Sequence, residues 1–222
     1  MLKGKKILTI IPARAGSKRF PGKNIKVLAG KPLIAYSIEY AKKHIKSDII
    51  VSTDDKLIGE VAAQYGAEVQ LRPDYLALDE TSTIEVLQYV LLNLDKQYDF
   101  IVLLQPTSPL RPEDLFYKTY NFLQKKNKES LFTVSLNHYK LGKMNGHSFQ
   151  PFNYEFGERS QDINSWHYEN GLIYIAASKL IKKGILIDKN SVAMTIDHVY
   201  ATVDIDDERD FKWAEFLIQK GL

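Results

Sequence analysis

The sequence predicts a three-layer α/β fold on a mainly parallel sheet, and three observations carry that prediction. Short β-rich apolar runs alternate with amphipathic stretches along most of the chain. The runs are apolar at successive positions, as strands covered on both faces are. Between them apolar residues recur at helical spacing, and strand, helix and strand repeated in this way build parallel sheets with right-handed crossovers.

Taken in order, strands are expected at residues 6–11 (KILTII), 49–53 (IIVST), 67–71 (AEVQL), 99–104 (DFIVLL) and 130–135 (SLFTVS). The first follows basic residues in the manner of a leader, but its apolar run of about five residues is short of the ~7 to 15 a leader needs. Helices are expected at 32–45, around Leu33, Ile34, Ile38 and Ala41, at 55–65, around Ile58, Val61 and Ala62, and at 82–95, around Val86, Leu87, Val90 and Leu94. From 138 to 169 the periodicity lapses into a stretch rich in aromatics, Asn and Gly. Its length marks it as functional and its aromatic content argues against disorder, so it reads as a small dimerisation or lid excursion. The regular pattern resumes with GLIYIAA (171–177) and AMTIDHVYATVDID (193–206), and a terminal helix covers about 207–219. Residues 1–222 read as a single domain.

Composition narrows the function classes. Hydrophobic residues at 45% and charged residues at 26% suit a soluble globular protein, and no stretch reaches the ~20 apolar residues that cross a bilayer. A net charge of +3 from 30 basic and 27 acidic residues gives no global field for nucleic acid. The chain has no cysteine, which excludes disulfides and thiolate metal sites and fits a cytoplasmic protein. An anionic ligand must therefore be met by locally placed cations.

Three segments offer such chemistry. IPARAGSKRFPGKN (11–24) follows the first strand, where ligands collect in a doubly wound sheet. Gly16 and Gly22 let the backbone turn and expose N–H groups, while Arg14, Lys18, Arg19 and Lys23 compensate a polyphosphate. The spacing matches neither the P-loop nor the dinucleotide fingerprint; the alternative is an exposed, basic, flexible loop. LLQPTSPLR (103–111) sets Gln105, Thr107 and Ser108 in a proline-stiffened turn that can aim hydrogen bonds at a ligand, or can cap the next helix. Arg111 can pair with a carboxylate or orient that loop. In TVDIDDERDF (202–211), Asp204 and Asp206 alternate with Val203 and Ile205, so an extended chain points both carboxylates to one face. Mg²⁺, which binds through one or two carboxylates and substrate phosphates, suits that pair. Asp207, Glu208 and Asp210 read instead as first-turn acids of the terminal helix.

The loop, then RPDYLALDETST (72–83), LLQPTSPLR, ENGLIYI (169–175) and the late DID resemble, in order and over nearly the whole chain, the cytidylyltransferases that activate acylneuraminates and related nine-carbon sugar acids. The resemblance implies a Rossmann-like nucleotidyltransferase fold, transfer of CMP from CTP to the anomeric hydroxyl of a sialic, legionaminic or pseudaminic type of acid, release of pyrophosphate, Mg²⁺ as cofactor and a homodimer. It implies that Ala13, Arg14, Gly16, Ser17, Lys18, Lys23 and Asn24 bind the CTP phosphates and ribose. Arg72, Asp79, Ser82 and Thr83 would line the nucleotide pocket, with helix capping the alternative for Asp79, Ser82 and Thr83 and a surface strand end for Arg72. Arg14, Lys23, Asp204 and Asp206 form the implied catalytic set, the two aspartates holding the metal. Gln105 is the implied sugar contact. Where the family tends to place an arginine for the sugar carboxylate, this chain has Tyr168, so Lys143, His167, Tyr168 and Asn170 complete the expected sugar-binding set. That departure turns the expectation from N-acetylneuraminate toward a relative such as a diacetamido-trideoxy nonulosonate. Alternatives are a cytidylyltransferase for another acidic sugar such as Kdo, and a non-catalytic nucleotide-sugar binding module.

Overall fold

The computed structural model describes residues 4–163 and 166–221. Its strands are β1 (Ile7–Pro12), β2 (Val27–Leu28), β3 (Lys31–Pro32), β4 (Asp48–Thr53), β5 (Glu68–Leu71), β6 (Phe100–Leu103), β7 (Ser130–Asn137), β8 (Gly142–Asn145), β9 (Ser148–Pro151), β10 (Trp166–Ala177) and β11 (Val192–Thr195). The helices are α1 (Leu33–Tyr40), α2 (Lys56–Gln64), α3 (Thr83–Leu92), α4 (Leu115–Lys125), α5 (Ser178–Lys182) and α6 (Glu208–Lys220).

The main sheet has the order β11-β7-β10-β6-β1-β4-β5. β1 runs parallel to both β4 and β6, β4 to β5, and β11 to β7, whereas β10 is antiparallel to β6 and β7. The expected mainly parallel α/β architecture is therefore present, with one long antiparallel strand inside it. From β1 the chain builds outward to β4 on one side and places β6 on the other, which makes a topological switch point beside β1.

Successive side chains of β1 enter opposite layers, which is why ILTIIP is apolar but for Thr9, whose hydroxyl is hydrogen-bonded to Ser47 Oγ (2.6 Å). Ile7 and Ile11 join Ile34, Ile38, Ile58, Ala62, Leu115 and Leu123 beneath α1, α2 and α4. Leu8 and Ile10 join Leu87, Val90 and Ile181 beneath α3 and α5. A third cluster places Phe211, Ala214 and Leu217 of α6 against Phe20, Leu28, Leu110, Val203 and Ile205. The terminal helix thereby clamps the basic loop and the DID segment together. Asp207 caps it, its side chain accepting from the Arg209 and Asp210 N–H groups while Asp210 completes a capping box, the structural role expected of these acids.

Three stretches differ from expectation. Residues 138–169 hold a β8–β9 hairpin, and from Trp166 onward they belong to β10 of the main sheet. The 193–206 stretch divides into β11, a 3-10 turn at Val199–Thr202 and an extended segment that carries the DID sequence. Helices α4 and α5 add to the predicted set. No helix among the described residues is long and apolar enough to cross a membrane.

Candidate active site

The loops after β1 and β6 meet at the switch point around a cavity of about 510 Å³. Backbone bonds fix the frame: Ala13 N–H donates to Ser52 O (2.9 Å), Leu104 N–H to Ile10 O (3.2 Å), Arg72 N–H to Thr53 O (2.8 Å) and Ile205 N–H to Thr107 O (2.7 Å). The last brings the DID segment, a hundred residues later in sequence, against the QPTS turn.

Arg14, Ser17, Lys18, Arg19, Lys23 and Asn24 all border the cavity. Each of the four cations is ion-paired. Asp79 accepts from Arg14 (2.6 Å) and Lys18, and Asp206 from Arg19 (2.8 Å) and Lys23 (3.2 Å). Lys23 Nζ also donates to Ile205 O at 2.7 Å. The bonds from Lys18 and then Arg14 hold the Asp79 carboxyl below its ordinary range. Asn24 is buried and its amide donates to Arg14 O (2.8 Å), so it holds the loop's shape.

Arg72 closes the cavity from β5, with its side chain only 3% exposed. One terminal nitrogen donates to Ser52 O (3.2 Å) and the other lies 3.9 Å from Asp54. Its Nε is buried without a partner among the described residues. Burial lowers the guanidinium pKa, and Asp54 opposes that shift. Asp54 also accepts from Ala15 N–H (3.1 Å). Sequence reasoning missed this carboxylate, although its place at the carboxyl end of β4 was a usable signal. Thr83 borders the cavity together with Thr81, which was also missed. Ser82 does not: its hydroxyl donates to Glu85 (2.5 Å) and it caps α3.

On the far side Gln105 and Thr107 border the cavity, and Ser108 Oγ is buried without a partner among the described residues. Val203 and Ile205 are buried, leaving Asp204 and Asp206 on the opposite, accessible face as the alternation predicts. Asp206 borders the cavity. Asp204 is exposed on one side, yet desolvation by the protein packed around it raises its pKa; the Thr107 hydroxyl opposes that shift and the Asp206 charge adds to it.

The expected sugar-binding set is dispersed within one chain. Gln105 is in place, but Lys143 lies on exposed β8, and His167 and Tyr168 lie on the exposed outer half of β10. Asn170 is buried and accepts from Thr133 (2.6 Å) and Leu172 N–H (3.2 Å) while donating to Ser135 (3.0 Å). Its groups therefore secure the irregularity of β10 between Glu169 and Tyr174 rather than face the cavity. Next to it Gly171 has φ +71°, and a Cβ there would stand 3.0 Å from Ser108 Oγ and 3.3 Å from Gln105 Oε1.

The profile of the family described as Cytidylyltransferase matches residues 8–219. The chain is 36% identical to the CMP-N,N'-diacetyllegionaminic acid synthase of Legionella pneumophila, covering 96% of this chain and 97% of that one. It is 34% identical to a pseudaminic acid cytidylyltransferase of Campylobacter jejuni, with 96% of each chain covered. The N-acylneuraminate cytidylyltransferase of Escherichia coli is 33% identical over 97% of this chain and 52% of its own length. Among solved structures, a CMP:2-keto-3-deoxy-manno-octonic acid synthetase complexed with CTP superposes with a TM-score of 0.73 at 16% identity, covering 98% of this chain and 100% of that one, a likeness of fold.

Proposed function

The chain belongs to the cytidylyltransferase family, and from that membership we propose that it transfers CMP from CTP to the anomeric hydroxyl of a nine-carbon 2-keto sugar acid of legionaminic, pseudaminic or sialic type, releasing pyrophosphate. The observation that carries the reading is the convergence on one cavity of the loop's cations, buried Arg72, Asp206 and Gln105. These supply a phosphate side, a base side, a metal side and a sugar side.

The sugar hydroxyl attacks the α-phosphorus in line. A bond forms from that oxygen to phosphorus, the bond to the pyrophosphate oxygen breaks, and the hydroxyl proton is lost. Arg14 and Lys18 turn from Asp79 to the β- and γ-phosphates, and Lys23 stabilises charge on the transferred phosphoryl group. Rate comes from positioning and from charge stabilisation. Arg72, which borders the cavity, reads the cytosine edge, and Gln105 orients the sugar acid.

Asp204 and Asp206 fit Mg²⁺. Among the described residues no group of three acidic or imidazole ligands gathers at one point, so the pair offers at most two protein ligands, the number this ion takes when phosphates complete its shell. Repulsion from Asp206 contributes to the raised Asp204 pKa, and a cation between them relieves it. Bound there, the ion supplies charge neutralisation for the phosphates.

A homodimer completes the reading. Phe149, Phe152, Phe156, Trp166 and Tyr168 are exposed on the β8–β9 excursion and outer β10, more clustered apolar surface than a monomer usually leaves uncovered. A second copy covers it and brings Lys143, His167 and Tyr168 toward a sugar pocket. The lack of cysteine suits the reducing cytoplasm, where we place the reaction.

The test is pyrophosphate release with each of the four nucleoside triphosphates against a panel of nonulosonic acids, Kdo and sugar 1-phosphates. The expected result is release with CTP and a nine-carbon acid; release only with Kdo or a sugar 1-phosphate refutes the substrate assignment. Asp204→Ala, Asp206→Ala and chelation should each abolish turnover, and near-normal rates in both variants remove the metal assignment. Light scattering of a monomer at working concentration removes the dimer.

A further inference from the structure

Arg111 ends the QPTSPLR turn with its side chain buried. Its Nε donates to Leu172 O (2.6 Å), one terminal nitrogen to Gln105 O (2.9 Å) and the other to Ser37 Oγ (3.0 Å). The guanidinium also lies 5.8 Å from the Tyr40 ring centroid. Among the described residues no carboxylate pairs with it, and burial keeps the nearby Tyr40 phenol neutral by raising its pKa to about 12. Burying a cation without a counter-ion is costly, and an apolar side chain of similar volume would fill the space more cheaply. What an apolar residue cannot do is offer several donors in a fixed planar fork.

The three acceptors belong to three elements. Gln105 O lies in the turn after β6, Leu172 O lies within the irregularity of β10, and Ser37 lies on α1. Two of these flank the sugar side of the cavity. Gln105 borders it, and Gly171, next to Leu172, backs directly onto the Gln105 side chain. The fork therefore sets the separation between the QPTS turn and β10, and with it the direction of the Gln105 amide. None of its three bonds goes to the nucleotide half: Arg14, Lys18, Lys23 and Arg72 are anchored through Asp79, Asp206, Ser52 and Asp54.

We propose that Arg111 is a positioning residue for the sugar acid, acting through Gln105 and the turn of β10 without touching substrate or nucleotide. The inference rests on the sugar-acid reading of the Gln105 side of the cavity. Small misplacements of a positioning group are expensive in rate, and here the loss falls chiefly on the sugar acid, because the fork holds Gln105 directly and reaches the DID segment only through Thr107 O.

The experiment compares the full-length wild type with Arg111→Lys and Arg111→Ala. It measures initial rates with sugar acid and CTP varied separately, CTP affinity by calorimetry, and melting temperature. Arg111→Lys keeps the charge but not the fork. It should lower kcat/KM for the sugar acid at least about tenfold, chiefly through KM, while CTP affinity stays within about twofold. Arg111→Ala should regain sugar turnover with millimolar guanidinium, which has a route in because Arg111 also borders a separate cleft of about 1020 Å³ behind the active site. Rescue of turnover without a matching rise in melting temperature would not follow from a merely structural loss. Should both variants fail to fold, Ser37→Ala, which loosens the fork at α1 alone, carries the test: a several-fold rise in sugar KM with unchanged CTP affinity supports the proposal. Equal losses for both substrates, or wild-type sugar kinetics in Arg111→Lys or in Ser37→Ala, overturn it. A wild-type enzyme that turns over no sugar acid overturns the functional reading and this inference together, whereas an active wild type beside an unaffected Arg111→Lys overturns this inference alone.

Discussion

Gly171→Ala tests how tightly β10 and the QPTS turn are fitted to each other. The residue has φ +71°, and its new Cβ would meet Ser108 Oγ at 3.0 Å and Gln105 Oε1 at 3.3 Å. Two costs add. An L-residue held at positive φ costs about 1 to 2 kcal/mol, and the contacts force one or both side chains to give by tenths of an ångström, bringing the total to roughly 1 to 3 kcal/mol. For a domain of this size each kcal/mol lowers the melting temperature by about 2 to 4 °C, so the expected fall is roughly 2 to 12 °C. Ser108 is buried and cannot move into solvent, so Gln105 yields, and sugar-acid turnover should fall on the order of tenfold while CTP binding holds. Gly184→Ala is the control, because φ there is +78° but the nearest atom is Gln88 Nε2 at 3.6 Å, an ordinary contact. It carries the strain without the crowding. Thermal unfolding by circular dichroism, run beside steady-state kinetics on both variants, makes the comparison. The reasoning fails if Gly171→Ala melts with the wild type, or loses no more sugar turnover than Gly184→Ala does.

Asp207→Ala removes the cap of α6 and should lower the melting temperature at neutral pH. The bond from Arg209, then that from the Asp210 N–H, holds the Asp207 carboxyl down at about 2. A depressed folded-state value means the contribution is fully present above the ordinary carboxylate range and is lost as pH falls toward about 2. The gap between variant and wild type should therefore close across that window, and a gap that persists below it assigns the cap's effect to something other than charge. Asp79→Asn releases Arg14 and Lys18 from their carboxylate and should tighten pyrophosphate binding a few-fold, as weakening of an exposed pair allows. Weaker binding measured by calorimetry would show that Asp79 assists the anion instead of competing with it.

The inner strands and the first three helices were legible because each keeps one period: β1 is apolar at successive positions, and α1 to α3 keep their stripes. Helix α4 was not, since its buried face runs Leu115, Phe116, Thr119, Tyr120 and Leu123, with a threonine whose hydroxyl returns to Leu115 O (2.8 Å). That internal bond makes a polar residue acceptable in a buried stripe. α5 spans 5 residues, too few to display a period. β10 was divided by its own irregularity, which left Trp166–Glu169 in the 138–169 excursion and Gly171–Ala177 in the next run. In the site the cations were legible because they are contiguous. Asp79 and Asp206 were expected at the site, but their pairing with these cations was not, because Asp79 lies 65 residues from Arg14 and Asp206 lies 183 from Lys23. No local pattern encodes such a pairing.

That pairing bears on which anion the loop accepts. A cradle of four free cations would attract any phosphate, whereas here every cation already has a carboxylate at salt-bridge distance. An incoming anion must replace two carboxylates at once, so a single phosphate gains little and a triphosphate that reaches both pairs gains most. Displacing Asp206 from Lys23 and Arg19 leaves it charged beside Asp204, whose pKa is already raised in part by that neighbour. Two uncompensated carboxylates would then repel, and the divalent cation proposed for this pair would remove the repulsion. In the proposed reaction the metal and the triphosphate are thus linked: each lowers the cost of binding the other, and the linkage is reciprocal. CTP affinity measured across a magnesium titration should rise by the same factor by which saturating CTP raises magnesium affinity. Independent binding of the two would mean that Asp206 keeps its cations throughout.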